Sequence, residues 1–178
     1  MYHLEKSISD FKDYHNGEVG FICFNGKHIL DISSSKIKGY PTFVLDSGCK
    51  LDKLVFNYLV TIKEKIADEL NHISFSIGKG STYKLKFDDS IPMFQTNIIN
   101  PLYTANSSGY LAIQLAYCMG ISPLVLLGLD TVTDVEILAF ELARKAFNDD
   151  DREIYNGSSY TSLSYKVIPK ISLDIFNN

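Results

Sequence analysis

A polar loop, an apolar helix and a buried strand follow one another in the second half of the chain, and they constrain its fold more than any other feature. Residues 106–109 read Asn-Ser-Ser-Gly and precede the almost wholly apolar stretch 110–119, which Gly120 ends. A second apolar run, 123–129, stops at Asp130. Free N–H groups at helix starts bind anions, and buried strands of open α/β sheets end where ligands bind. The segment therefore predicts a protein that binds a phosphorylated small molecule.

The rest of the chain alternates between strand and helix patterns, which is typical of a parallel sheet covered by helices. Runs that are apolar on both faces fit central parallel strands, and apolar residues at helical spacing fit helices that lie on a sheet. We expect strands at 19–24, 40–45, 72–77, 83–87, 123–128 and 163–168, helices at 51–70, 107–120 and 133–147, a turn at 78–81 and a polar loop at 149–162. The sequence predicts an α/β fold in one domain, 1–178, with a Rossmann-like, mostly parallel sheet flanked by helices in three layers.

Composition narrows the function classes. The formal net charge of −4 gives no electrostatic reason to expect non-specific nucleic-acid binding. Cys23, Cys49 and Cys118 lack the spacing of a metal site or a disulfide framework, so we expect reduced, buried thiols and a cytoplasmic setting. No apolar run reaches the roughly 20 residues that a bilayer-spanning helix needs, so no membrane span is expected. Composition does not decide between a monomer and a homo-oligomer.

Two segments carry a resemblance to a known family. Residues 24–29, Phe-Asn-Gly-Lys-His-Ile, resemble the first-strand signature Gly-Asn-Gly-Pro-Ser-Leu of bacterial sialyltransferases that act on lipooligosaccharide. Residues 107–109, the apolar helix and the Leu-Gly-Leu-Asp at 127–130 resemble that family's Thr-Ser-Gly, helix and Ser-Gly-Ile-Asp. The layout is also similar to archaeal-type hydroxymethylpterin diphosphokinases and to unassigned, often phage-borne, relatives. The likeness covers residues 19–46 and 106–130, with weaker agreement at 169–172.

The resemblance implies a nucleotide site. It places the following residues around a nucleotide or sugar nucleotide, with a cytidine nucleotide favoured: Asn25, Gly26, Asp46, Ser107, Ser108 and Gly109. The chain also departs from the family at the first signature Gly, the Pro-Ser pair and the second-strand Asn, where Phe24, Lys27-His28 and Asp46 stand. The family's catalytic His lies downstream of the Gly-x-Asp strand, whereas this chain has no His after His72. Sialyl transfer through that base is therefore not expected.

The residues themselves support ligand contact at the strand end and at the helix start. Asn25 and Gly26 follow a buried strand, where Gly permits close backbone approach and Asn offers both a donor and an acceptor; an ordinary tight turn is the alternative. Ser107 and Ser108 fit either a helix cap or a ligand contact. Gly109 in the first helical turn costs about 0.5–1 kcal/mol relative to Ala, which a close neighbour such as a phosphate or a packed strand would explain.

Candidate catalytic groups are few. His28 follows the first strand and is the only His placed to act as a base, because histidine titrates near neutrality. Asp130, at a strand end, could activate an acceptor hydroxyl or simply form a turn. Lys27 could face a phosphate, and Tyr160 lies in a loop, 155–160, that is rich in hydroxyls and rings, as lids over sugars or bases often are.

Three functions remain open at this point. The first is a small glycosyltransferase-like enzyme that uses a nucleotide-activated sugar, with His28 or Asp130 as the base. The second is a diphosphokinase or other phosphoryl transferase on a heterocyclic alcohol, in which Asp46 and Asp130 hold Mg²⁺ if they line one crevice. The third is a nucleotide-binding module without catalysis, which sequesters or senses its ligand.

Overall fold

A parallel sheet forms the centre of the protein. The computed structural model describes residues 7–46, 54–62, 73–76, 83–88, 90 and 92–176. The strands are β1 (Gly20–Cys23), β2 (Thr42–Leu45), β3 (Tyr58–Val60), β4 (Ile73–Ser76), β5 (Tyr83–Lys84), β6 (Phe87–Asp88), β7 (Leu102–Tyr103), β8 (Leu124–Leu127) and β9 (Ile154–Asn156); the helices are α1 (Ser108–Cys118) and α2 (Asp134–Asp149). Within these described residues, seven strands form the main sheet, and β6 and β7 form a separate parallel pair.

The strand order reverses in the middle of the sheet. The order is β5-β4-β3-β2-β1-β8-β9, and all neighbours pair in parallel. The chain moves outward from β1 to β5 and then returns to the other side of β1 with β8 and β9. Open α/β sheets bind ligands beside the carboxyl ends of strands where the order reverses, which here is between β1 and β8. The predicted α/β class and Rossmann-like parallel sheet are confirmed.

The two faces of the sheet are covered differently in the described part of the chain. Both α1 and α2 pack on one face, in a core that includes Ile22, Leu126 and Phe140. The other face is covered by short 3-10 helices, which contribute Ile29 and Ile37 to a second core. Among the described residues this second face carries 3-10 turns and no α-helix, so the three-layer arrangement of helices on both faces stays a prediction.

Local signals set the ends of both α-helices as predicted. The hydroxyl of Ser107 accepts a hydrogen bond from Tyr110 N–H and caps α1. Gly120 follows the last turn with a φ of +85°, a conformation that Gly adopts without steric cost. Thr133 and Glu136 form a reciprocal capping box at the start of α2.

The prediction of a helix at 51–70 is wrong, because β3 lies within it. Residues 51–53 and 63–70 are outside the described residues, whereas Tyr58–Val60 pairs with β2 on one side and β4 on the other. All three residues of β3 are buried. A short strand that is buried on both faces carries no alternation, so its apolar residues can match a helical spacing by chance.

Three other expectations need correction. The polar loop at 149–162 contains β9, which extends the main sheet beyond β8. The closing strand at 163–168 is absent; this stretch forms turns whose buried Leu163 and Ile168 fill the core, and Lys170 alone bridges to Asn156. The edge strand at 83–87 divides into β5 and β6, which belong to different sheets.

The remaining expectations concern cysteines, a turn and the membrane. Cys23 and Cys118 are buried, as predicted, while Cys49 and the turn at 78–81 lie outside the described residues. Across the described ranges, no helix combines the length and the apolar character that a bilayer crossing requires.

Candidate functional site

The structure divides the predicted site residues into two adjacent groups at the carboxyl edge of the sheet. One group lines a cavity and consists of Asn25, Asp46, Ser107, Ser108 and Gly109. The other surrounds a histidine–aspartate pair and consists of Gly26, Lys27, His28, Asp130 and Tyr160. His28 is three residues after Asn25, so their Cα atoms are at most about 11 Å apart.

The first group lines what we call the edge cavity, which has a volume of about 330 Å³. It opens where β1, β2 and β3 end and α1 begins, so it joins the ends of three parallel strands to a helix N-terminus. Its volume is at the lower end of the range for small-molecule sites. Its lining residues are Phe24, Asn25, Leu45, Asp46, Ile62, Asn106, Ser107, Ser108 and Gly109.

The start of α1 presents hydrogen-bond donors to the edge cavity. Ser107 uses its hydroxyl for the cap and its carbonyl for Leu111 N–H. The backbone N–H groups of Ser108 and Gly109 have no acceptor among the described residues. Such N–H groups carry the partial positive charge of a helix start and favour an anion.

Unusual backbone conformations surround the cavity. Ala105 and Asn106 have φ values of +45° and +58°, and Ser107 N–H donates to Thr104 C=O at 2.8 Å. This is a type I′ turn, in which both central residues require positive φ. Asp46 also has a positive φ, +56°. Strained residues of this kind cluster at functional sites, because a defined site geometry overrides local preference.

Asn25, a residue of the cavity lining, carries a buried acceptor that no described residue pairs. Its Nδ2 donates to Leu45 C=O at 3.2 Å, which fixes the amide orientation. Its Oδ1 is buried and has no hydrogen-bond partner within the described part of the protein. A buried, unpaired acceptor costs stability unless a ligand or water supplies a donor. Asn25 therefore favours a ligand that carries a hydroxyl or amino group.

Asp46 holds the cavity walls together. Its Oδ1 accepts hydrogen bonds from Thr61 Oγ1 at 2.8 Å and from Ser108 Oγ at 2.7 Å. Ser108 Oγ in turn accepts from Ile62 N–H at 3.1 Å. One carboxylate thus links the ends of β2 and β3 to the first turn of α1. Thr61 was missed at the sequence level, because the strand that it follows matched a helical pattern.

The glycine at the start of α1 is explained by packing. A Cβ atom at Gly109 would overlap the ring of Phe24, whose Cζ would be 2.6 Å away. The packed-strand alternative for Gly109 is therefore the one that the geometry supports.

His28 and Asp130 form a directly hydrogen-bonded pair in the second group. Asp130 Oδ2 accepts from His28 Nδ1 at 2.8 Å and from the His28 backbone N–H at 3.2 Å. A Cβ atom at Gly26 would overlap Asp130 Oδ1 and the Gly128 carbonyl, so only glycine permits this approach. Because the carboxylate occupies Nδ1, the neutral imidazole carries its lone pair on Nε2, which has no partner among the described residues.

The carboxyl of Asp130 is held ionised. Burial raises its pKa, but hydrogen bonds from the backbone and ring of His28, the charge of His28 and the Lys27 backbone N–H outweigh burial and lower the pKa below its usual value. An ionised carboxylate at Nδ1 orients the ring and stabilises the imidazolium that forms when Nε2 takes a proton.

The 155–160 loop covers one side of this pair. The ring of Tyr160 lies 4.8 Å from the ring of His28, centroid to centroid, at an interplanar angle of 37°. Ser159 Oγ donates to Asp31 Oδ2 at 3.0 Å and ties the loop to the 3-10 helix Lys27–Asp31. Lys27 contributes its backbone to Asp130, and its side chain is exposed. The ring of Tyr160 thus lies against the ring of His28.

The carboxylates of Asp46 and Asp130 have different hydrogen-bond partners. Asp46 bonds to Thr61 and Ser108 in the edge cavity, and Asp130 bonds to His28 outside its lining. Throughout the residues that the structure describes, no cluster of three or more His, Cys, Asp or Glu side chains has metal-binding geometry. Asp130 is not among the residues that line the edge cavity, so the magnesium alternative, with two carboxylates in one crevice, stays a prediction.

Comparison of the chain with protein-family models, with curated proteins and with solved structures finds no match. The geometry of the site and its sequence motifs therefore carry the functional argument.

Proposed function

We propose that this protein binds a nucleotide-activated sugar in the edge cavity and transfers the glycosyl group to an acceptor hydroxyl, with His28 as the general base. The observation that carries the proposal is the His28–Asp130 pair at the point where the strand order reverses, one short turn from the cavity. The motif resemblance to bacterial sialyltransferases supports the choice of donor and favours a cytidine nucleotide.

Donor binding follows from the cavity walls. The phosphate accepts hydrogen bonds from the N–H groups of Ser108 and Gly109, and the donor's hydroxyl or amino groups donate to Asn25 Oδ1. The same N–H groups stabilise the charge that develops on the phosphate oxygen as the bond from the sugar to that oxygen breaks.

The His28–Asp130 pair activates the hydroxyl group of the acceptor. His28 Nε2 removes the proton of the acceptor hydroxyl as its oxygen bonds to the sugar, and the nucleotide leaves with the electrons of the broken bond. Asp130 stabilises the resulting imidazolium. A positioned base of this kind accelerates a reaction by about 10²–10⁴-fold.

Thermal denaturation with candidate ligands tests the proposal. CMP, UDP, ATP and sugar nucleotides are compared with and without Mg²⁺. At a hundredfold excess over Kd, a ligand stabilises the fold by about 2.7 kcal/mol, which raises Tm by roughly 5–10 °C in a chain of this size. Stabilisation by CMP or a CMP-sugar without metal supports the proposal, whereas an ATP response that requires Mg²⁺ overturns it in favour of phosphoryl transfer.

A charge-matched pair of variants localises the site. Asn106→Asp adds a negative charge at the cavity mouth, where Asp tolerates the positive φ and suits a helix start. Asn100→Asp adds the same charge at an exposed position outside the cavity lining. We expect the first variant alone to lose the nucleotide response. Equal responses would place the ligand elsewhere, and binding without turnover of any donor would reject the transfer step.

A further inference from the structure

An apolar ridge on α2 continues into an apolar groove beside it. Val135 and Leu138 are 50% and 46% exposed, although both are large apolar side chains. Leu142 and Ala146 continue the same stripe of the helix, because residues spaced by three, four or seven positions share one face. They line a groove of about 350 Å³ together with the apolar Met93, Phe94 and Tyr117 and with the polar and charged residues Thr96, Lys145, Asp149 and Asp150.

Ridge and groove lie symmetrically along the helix. The midpoint between Leu138 and Leu142 is about 3 Å from each residue along the axis, at a rise of 1.5 Å per residue. Val135 lies about 7.5 Å before this midpoint and Ala146 about 9 Å after it. A two-fold axis at the midpoint therefore places the ridge of one copy over the groove of another. Such a self-complementary patch is the requirement for an isologous dimer.

The same two-fold axis brings oppositely charged side chains beside the stripe together. Asp134 lies about 9 Å before the midpoint and Lys145 about 7.5 Å after it. They are separated by eleven residues, close to three full turns, so both lie on one flank of α2. Across a two-fold axis the same flanks meet, so Asp134 of each copy faces Lys145 of the other. In the single chain, Lys145 Nζ contacts Asp149 of its own helix, which holds it on this flank.

We propose that this ridge and groove form an antiparallel α2–α2 interface between two copies of the chain, with Leu138 against Leu142 and Asp134 against Lys145. The occupant is a second copy because the apolar and the charged features share one symmetry position. This inference is independent of the proposed catalytic function, since the interface uses none of the residues of the edge cavity or the His28–Asp130 pair.

The test measures association by sedimentation equilibrium over micromolar to millimolar protein concentrations. We expect a monomer–dimer equilibrium for the wild type. Leu138→Glu should weaken the dimer at least tenfold, because it introduces two charges at the centre of the apolar contact. Ile175→Glu, which changes an exposed apolar residue in the final 3-10 helix, serves as the matched control and should leave the dissociation constant unchanged.

Charge exchange distinguishes the proposed geometry from unspecific apolar association. Asp134→Lys and Lys145→Glu should each weaken the dimer about three- to tenfold at low salt, and the double variant should recover most of that loss. Glu141 is exposed and lies one residue from the axis, so its two copies approach each other, and Glu141→Gln should tighten the dimer.

The alternative outcomes are equally definite. A wild type that stays monomeric at all concentrations overturns the proposal, as does a Leu138→Glu variant that dimerises normally. If the wild type dimerises and Leu138→Glu weakens the dimer, but the double charge variant does not recover the affinity lost in the single charge variants, the antiparallel α2–α2 arrangement is rejected. Circular dichroism and Tm of each variant confirm that α2 remains folded in these comparisons.

Discussion

Asp130 Oδ2 accepts hydrogen bonds from both the backbone N–H and the ring Nδ1 of His28, a residue that lies 102 positions earlier in the chain. Because the two contacts end on one carboxylate oxygen, the imidazole is held in one orientation with Nε2 directed away from Asp130. The parallel pairing of β1 with β8 creates this contact, since His28 and Asp130 follow these two neighbouring strands.

The first prediction concerns the catalytic roles of the pair. His28→Asn retains a donor near the Nδ1 position but removes the base, so we expect a loss of about 10²–10⁴-fold in the turnover of a nucleotide-sugar donor, with Kd for the nucleotide unchanged. Turnover is measured as release of the free nucleotide, and Kd by calorimetry. Asp13→Asn, an exposed substitution at a positive φ that Asn tolerates, is the control. A variant with full turnover would remove His28 from the mechanism.

The second prediction concerns stability against pH. Asp130 has a lowered pKa in the folded protein, so its stabilising contribution is complete above its unfolded value of about 4 and is lost as the pH falls through the lower folded pKa. At pH 7, Asp130→Asn should cost about 1–3 kcal/mol, because a charged acceptor of two hydrogen bonds is lost.

Urea denaturation of the wild type and of Asp130→Asn between pH 7 and pH 3 measures this effect. The gap between the two urea midpoints should narrow below pH 4, where the Asp130 carboxyl takes up its proton. Asp13→Asn, an exposed substitution, should change the free energy of unfolding by no more than about 0.5 kcal/mol at pH 7. A gap for Asp130→Asn that does not narrow in acid would contradict the contribution of the ionised carboxylate.

The third prediction concerns Phe24 and Gly109. Gly109→Ala should destabilise the protein by about 1–3 kcal/mol, because the new methyl group overlaps the Phe24 ring, even though Ala is the better helix former. In a Phe24→Leu background the same change should cost less, since the smaller side chain vacates the space. Thermal denaturation of the four proteins forms a double-mutant cycle. Additive losses would show that Gly109 is required for another reason.

The fourth prediction concerns Gln114, a fully buried polar side chain on α1. Its amide accepts from the N–H groups of Gln95 and Tyr103, each at 3.1 Å, and donates to the carbonyls of Tyr103 and Tyr110. These bonds attach the segment that leads into the edge cavity to α1. Gln114→Leu removes all four bonds, so we expect a loss of about 2–5 kcal/mol.

The urea midpoint of Gln114→Leu, compared with that of Gln95→Leu, measures this contribution. The Gln95 side chain accepts one bond, from Asn97 N–H at an exposed site, so its replacement should cost no more than about 0.5 kcal/mol. Similar midpoints for the two variants would mean that the four buried hydrogen bonds of Gln114 add little to the free energy of unfolding.

Local sequence patterns predict much of the fold and part of the arrangement of residues at the candidate site. The Ser107 cap of α1 and the capping box of α2 depend on interactions within a few residues, so short segments predict them. The strands β1, β2 and β8 are predicted because each is a continuous apolar run. The placement of Asn25 and Ser108 at one edge also follows, because the carboxyl ends of parallel strands meet there.

Other features depend on partners that are distant in sequence. β3 forms a strand because β2 and β4 supply hydrogen bonds on both sides, although its apolar spacing matches a helix. The stretch at 163–168 fills the core without pairing, because β9 already occupies the sheet edge beside β8. Neither outcome is encoded in the short segment itself.

The sequence by itself determined the residue types that can bind an anion or move a proton, and it set the start of the helix that lines the edge cavity, because capping and periodicity are local properties. Only the tertiary structure decided that Asp46 fastens the cavity walls while Asp130 orients His28. The strand order brings each carboxylate beside different hydroxyl or imidazole partners, and hydrogen bonding then fixes its role.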